Sequence, residues 1–146
     1  IRQQQETLKT KSFKALKGQL PWPAEGRIIS KFGRQWNPKL KTTTENPGID
    51  IKGKPGSSIR TVLGGVVTTI TYIRGYGTTI IVDHGGGFYT VYSHVTNIQT
   101  NVDSQVRNGD VIAYMGDSGS INGSKLHFEI WGKGQKLDPE RWLRKK

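Results

Sequence analysis

From about residue 27 onward the hydrophobic positions come in short runs separated by glycine. Residues 27–32 carry an Ile-Ile pair, 48–52 read GIDIK, and 59–63 run into Gly64-Gly65. Residues 66–72 (VVTTITY) are dense in β-branched side chains, which suit a pleated surface. Residues 74–77 separate them from 78–83, and the turn 84–87, with His84 in it, precedes 88–94. Asn108-Gly109 is a turn signal before 111–114, 116–124 is a glycine and serine loop, and 126–131 is the last long strand. Short strands at regular spacing with glycine-rich turns predict an all-β fold, an antiparallel β-sandwich or open barrel.

Residues 1–17 follow a different rule. They lack proline and glycine, and Leu8, Phe13 and Leu16 fall near one helical face. This predicts a short N-terminal helix over 1–18, or the end of an upstream coiled coil. Gly18 and Leu20-Pro-Trp-Pro23 stop it, and residues 19–146 form the single domain. The chain opens on Ile1, which reads as a fragment of something longer.

Composition narrows the classes. Hydrophobic residues are only 33%, and 19 glycines take up part of the difference, against a helical bundle. No apolar run is long enough to span a membrane as a helix. The absence of cysteine removes disulfides, thiolate metal sites and cysteine nucleophiles. The net charge of +11 is spread, with +4 in residues 1–17 and +2 in 138–146. Such a surface attracts anionic partners. Nucleic acid is not the partner expected, because no RNP signature, helix-turn-helix or zinc-finger spacing is present.

The three histidines are His84, His94 and His127. Strand alternation places Lys125, His127 and Glu129 on one face, and Tyr92 with His94 on another. A His-bearing strand beside one carrying Asp50 is part of what a hydrolytic zinc site needs, namely three protein ligands and a water.

Several stretches, in order, resemble the LytM/lysostaphin-type zinc metallopeptidase domain, whose members cleave peptidoglycan cross-bridges. They are Asn46-Pro-Gly-Ile-Asp-Ile51, Val66 with Gly75-Tyr-Gly77, Ile81-Val-Asp-His-Gly85, Tyr89-Thr-Val-Tyr-Ser-His94, Val106 with Gly109-Asp-Val-Ile-Ala113, Gly116-Asp-Ser-Gly119 and Leu126-His-Phe-Glu129. The resemblance runs from about Leu20 to Leu143 and implies a compact antiparallel fold with an open groove. It also implies two zinc ligands in a His-x-x-x-Asp motif and a third in the second histidine of His-x-His. The first histidine of His-x-His and that of Tyr-x-His would act on the water or the oxyanion.

Matched position by position, the chain departs from that pattern. Asn46 stands at the first ligand position, while Asp50 and His127 remain as ligand remnants. Lys125 stands at one catalytic position, and His94 remains at the other. An amide oxygen is a weak ligand for zinc beside imidazole, and two good ligands rarely hold it tightly. No bound zinc and no catalysis are expected; the Lys125 ammonium is expected to stand in for the metal and pair with Asp50. Glu45 is a less suitable substitute ligand, since alternation turns it away from Asn46.

Degenerate domains of this kind resemble the amidase activators of the EnvC and NlpD type. The resemblance implies a non-catalytic protein of the cell wall and division machinery, located outside the cytoplasm, in the periplasm. Its former substrate groove would bind an N-acetylmuramyl-L-alanine amidase and relieve that enzyme's self-inhibition. The expected groove residues are Asn46, Asp50, His94, Lys125 and His127, with Trp36 and Tyr76 as rim aromatics and Arg34 and Arg74 as further anchors. Residues 35–45 are expected to form a loop along one wall. Two other readings stand beside it: an active zinc endopeptidase, and a module that binds peptidoglycan without activating anything.

Overall fold

The computed structural model describes residues 13–116 and 123–146. Among the described residues the strands are β1 (Arg27–Ser30), β2 (Gly33–Asn37), β3 (Thr42–Asn46), β4 (Ile49–Lys52), β5 (Ser58–Arg60), β6 (Gly65–Ile73), β7 (Gly77–Gly85), β8 (Phe88–Ser93), β9 (Val95–Thr96), β10 (Gln105–Val106), β11 (Val111–Met115), β12 (Lys125–Gly132) and β13 (Gln135–Leu137). One short helix, α1 (Pro139–Trp142), follows. The main sheet runs β1-β4-β12-β8-β7-β6-β10 with β13 beside β12, all neighbours antiparallel. A second sheet, β5-β11-β9, lies apart from a two-stranded β2–β3 hairpin. The expected all-β, antiparallel, open architecture is what the chain forms.

Alternation decides which side of the main sheet is core. Leu126, Phe128 and Ile130 of β12 are fully buried, as are Ile49 and Ile51 of β4. They share one hydrophobic core with Ile80 and Val82 of β7 and with Ile59, Ile112 and Met115 from the second sheet. The intervening positions of β12, from Lys125 to Trp131, therefore share the opposite face.

Polar groups inside the core are satisfied. Tyr92 Oη accepts from the Val62 amide at 3.1 Å and sits 2.8 Å from Thr90 Oγ1. Thr90 in turn bonds His84 Nε2 at 2.7 Å, and His84 Nδ1 faces the Gly64 carbonyl at 2.9 Å. His84, expected in a turn, is instead fully buried inside β7, because pairing continues through Gly85 and the turn is left to Gly86-Gly87. Tyr92→Phe leaves the buried Val62 N–H without its acceptor, so urea denaturation is expected to show a loss of about 1–3 kcal/mol.

The expected wall loop 35–45 is mostly a hairpin. Thr42–Thr44 of β3 pair with Gln35–Asn37 of β2, since the threonine run is itself β-prone. Of the predicted N-terminal helix, residues 1–12 lie outside the described residues, as do 117–122 of the expected glycine and serine loop. Residues 13–15 are helical. Phe13 is fully buried and packs on Phe88 and Trp142 at 4.8 and 5.3 Å between ring centroids. Leu20 then bridges Leu143 in parallel.

Candidate functional site

β4 and β12 meet with His127 opposite Asp50 and Lys125 opposite Lys52. Cross-strand partners share a face, so Asp50, Lys125 and His127 converge on the side away from the core. The approach is close because residue 48 is glycine. A Cβ there would lie 2.2 Å from the Phe128 carbonyl oxygen. Gly48→Ala is therefore expected to prise β4 from β12 and lower the thermal midpoint by several degrees, read by circular dichroism.

Together these side chains line a cleft of about 220 Å³ that also includes Asn46, Tyr76 and His94. Six of the seven expected groove residues, Tyr76 among them, thus line one cleft, while Trp36 is not on the lining. Trp36 stands on β2, 62% exposed. Neither Arg34 nor Arg74 lines the cleft, although Gly75 does. Sequence reasoning missed Ser30, Pro47 and Gly75, while Thr44 belongs to the 35–45 segment expected along one wall. Glu45, expected to turn away, is exposed and still paired within β3, yet it also lines the cleft mouth beside Asn46. Asn46 Oδ1 accepts from the Gly48 amide at 3.0 Å and turns the chain.

Each polar atom on the cleft floor has a partner. His127 Nδ1 lies 2.7 Å from Asp50 Oδ1, and Nε2 lies 2.8 Å from Glu129 Oε2. Lys125 Nζ lies 3.5 Å from Asp50 Oδ2, so the expected pair forms. The second oxygen of Glu129 accepts from Trp131 Nε1 at 2.7 Å and lies 3.7 Å from Lys136 Nζ. Asn46 Nδ2 donates to Ser30 Oγ at 2.9 Å. Glu129 is the functional neighbour that sequence alternation placed on this face without assigning it a role.

Charge follows from these contacts. Burial alone disfavours the His127 cation, but hydrogen bonds to Asp50 and Glu129, and their charges, outweigh it and raise the imidazole above its ordinary value. Burial alone pushes Asp50 and Glu129 up. The His127 bond and charge, with Lys125 for Asp50 and Trp131 for Glu129, hold both below the usual carboxylate range. These contacts favour an imidazolium between two carboxylates, with the Lys125 amine at the rim of the floor. Burial and the nearby Glu129 and Asp50 charges raise the Tyr76 phenol. Its ring packs 4.9 Å from His127 and 6.5 Å from His94.

His94 is 2% exposed with φ of 64°, a left-handed conformation that costs a non-glycine residue about 1–2 kcal/mol. It is pinned by its amide bond to the Tyr76 carbonyl at 2.8 Å and by its own carbonyl, which accepts from Gly116 at 3.1 Å. These two hydrogen bonds hold the backbone that carries the ring at the cleft wall. Among the described residues, no group of three or more His, Asp or Glu side chains is arranged to hold a metal ion.

Comparison with known proteins gives this geometry its context. The murein hydrolase activator EnvC of Escherichia coli is 32% identical over 135 residues, which cover 92% of this chain and 31% of that protein. The murein hydrolase activator NlpD of the same species is 37% identical over 123 residues, covering 84% of this chain and 30% of that protein. The chain therefore spans about three tenths of the length of these relatives. A zinc containing peptidase from Vibrio cholerae superposes with a TM-score of 0.77 over 88% of this chain and 41% of its own, at 21% identity, which establishes a shared fold. The description Peptidase family M23 matches residues 44–139, from the β3 strand to the start of α1, and the chain belongs to that family.

Proposed function

We propose that this domain is a non-catalytic activator of a peptidoglycan amidase, acting outside the cytoplasm. One observation carries the reading: both ring nitrogens of His127 are held by carboxylates, Asp50 and Glu129, while Lys125 faces Asp50. Both ring nitrogens of His127 are thus engaged by carboxylates and not open to a metal, and the Asn46 amide is already bonded at both ends. The side chains as arranged do not fit zinc. The names of EnvC and NlpD, activators of murein hydrolases, support the same reading. In it, Asn46, Asp50, His94, Lys125, His127 and Tyr76 present a cleft to the amidase, with Trp36 on the adjoining hairpin. No described helix is long and apolar enough to cross a membrane.

The deciding experiment is dye release from labelled sacculi. The domain is assayed alone, and with an N-acetylmuramyl-L-alanine amidase from the same organism, with and without chelator. Release is expected only in the mixture. Chelator-sensitive release by the domain alone overturns the proposal in favour of a zinc endopeptidase. Sedimentation with sacculi but no stimulation of the amidase indicates a wall-binding module instead.

A further inference from the structure

The charges of the cleft floor are internally balanced, so the excess positive charge lies elsewhere. Strand register shows where part of it is. Arg27 of β1 is opposite Lys52 of β4, and Lys52 is opposite Lys125 of β12. Three cations thus stand in a row across three neighbouring strands, on one face, about 4.8 Å apart from strand to strand. Like charges directly opposite one another repel and destabilise the pairing. Only Lys125 has a carboxylate partner. Among the described residues, Arg27 and Lys52 make no ion pair, and both are exposed.

The row does not end at β1. Arg27 also lines a cleft of about 700 Å³ with Arg144, Lys145 and Lys146, all exposed. The tail is held there by Trp22 Nε1, which donates to the Arg144 carbonyl at 2.7 Å, and by Lys146, whose Nζ lies 4.4 Å from the Trp22 ring centroid. Trp22, Ile28 and Leu143 give the cleft an apolar side. Glu140 is the one acidic residue on its lining.

We infer that this row and cleft are a docking surface for an acidic, amphipathic polypeptide segment of a protein partner. Charge complementarity calls for an anion. The apolar side formed by Trp22, Ile28 and Leu143 favours a peptide, which can carry leucine and glutamate on adjacent faces, over a uniformly polar polymer. Acidic side chains three or four residues apart on a helix are about 5–6 Å from one another, close to the spacing of the cationic row. The surface adjoins the Lys125 end of the amidase cleft, so one partner can engage both. The amidase reading enters only in naming that partner; the acidic chemistry stands without it.

Heteronuclear NMR tests this directly. The ¹⁵N-labelled protein is titrated with a capped amphipathic Leu/Glu helical peptide, a Leu/Gln counterpart, vesicles containing phosphatidylglycerol, and sacculi. The Leu/Glu peptide is expected to shift the amides of Arg27, Lys52 and 144–146, with the Gln peptide at least about tenfold weaker. Arg27→Glu with Lys52→Glu, and separately Arg144→Glu with Lys145→Glu, are expected to weaken the acidic peptide at least about tenfold. These residues are exposed, and unchanged thermal midpoints exclude misfolding. Shifts elsewhere, affinities unchanged by charge reversal, or no peptide binding overturn the proposal. Loss of vesicle or sacculus binding in the same variants, without peptide binding, assigns the surface to membrane or wall and also overturns it. Amidase stimulation is read in parallel. Stimulation that survives charge reversal leaves the activator reading intact and excludes the amidase from this surface. Peptide binding without any amidase stimulation supports this surface and overturns the activator reading.

Discussion

His127→Ala is expected to destabilise the fold by about 3–5 kcal/mol, the range for removing one partner from a buried ionic group. The variant leaves Asp50 and Glu129 without the cation that lies between them, on side chains only 14% and 7% exposed. Lys125 remains for Asp50 and Lys136 for Glu129, at 3.5 and 3.7 Å, which keeps the loss within that range. The effect depends on pH. The folded value of His127 is raised, so its contribution is fully present below the unfolded value of about 6.5 and is lost as pH rises through the folded value. Asp50 and Glu129 have lowered folded values, so their contributions are present above the ordinary carboxylate range and lost as pH falls through the folded values. The destabilisation by His127→Ala is therefore expected to be larger at pH 6 than at pH 9. Urea denaturation at the two pH values decides it; equal losses would show that His127 acts by packing alone.

The second large effect concerns metal. Asn46→His with Lys125→His rebuilds both family motifs and removes the ammonium that faces Asp50. By calorimetry this double variant is expected to bind zinc at least about 100-fold more tightly than the natural chain, roughly 2.7 kcal/mol. Either substitution alone is expected to gain little. Asn46→His leaves Lys125 against Asp50, and Lys125→His leaves an amide bonded to Gly48 and Ser30. Binding to the double variant should strengthen between pH 6 and pH 8, because a ligating His127 must first lose its proton. Tight zinc binding by the natural chain, or by either single variant, would refute the account of a site filled by protein charges.

Much of this was legible in the sequence because two-residue alternation is a strong signal. It correctly set Lys125, His127 and Glu129 on one face and Leu126 and Phe128 on the other. It did not reveal that Glu129 would close on the far nitrogen of His127, since that depends on side-chain reach within a strand rather than on pattern. The β2–β3 hairpin was read as a loop because its strands carry almost no buried residues, so no apolar period marks them. His84 was placed in a turn because its Asp-His-Gly-Gly context looks like one. The acceptor at Gly64 and the hydroxyl of Thr90, both distant in sequence or across a hairpin, draw it inward instead. The cationic row was invisible for a similar reason: Arg27, Lys52 and Lys125 are far apart along the chain, and only register brings them into line.

The parallel bridge between Leu20 and Leu143 has a mechanical meaning. The Gly18 and Leu20 amides both bond the Trp142 carbonyl, and the Arg144 amide bonds the Leu20 carbonyl. Tension applied toward the N-terminus at one segment and toward the C-terminus at the other drives two parallel segments past each other along their length. The three bonds then bear load together in shear instead of peeling one after another. Buried Phe13, stacked on Phe88 ahead of this clamp, must also be extracted before the strain reaches β1. A pull on the ends is thus taken up at the Leu20–Leu143 seam, and the cleft between β4 and β12 is shielded from it.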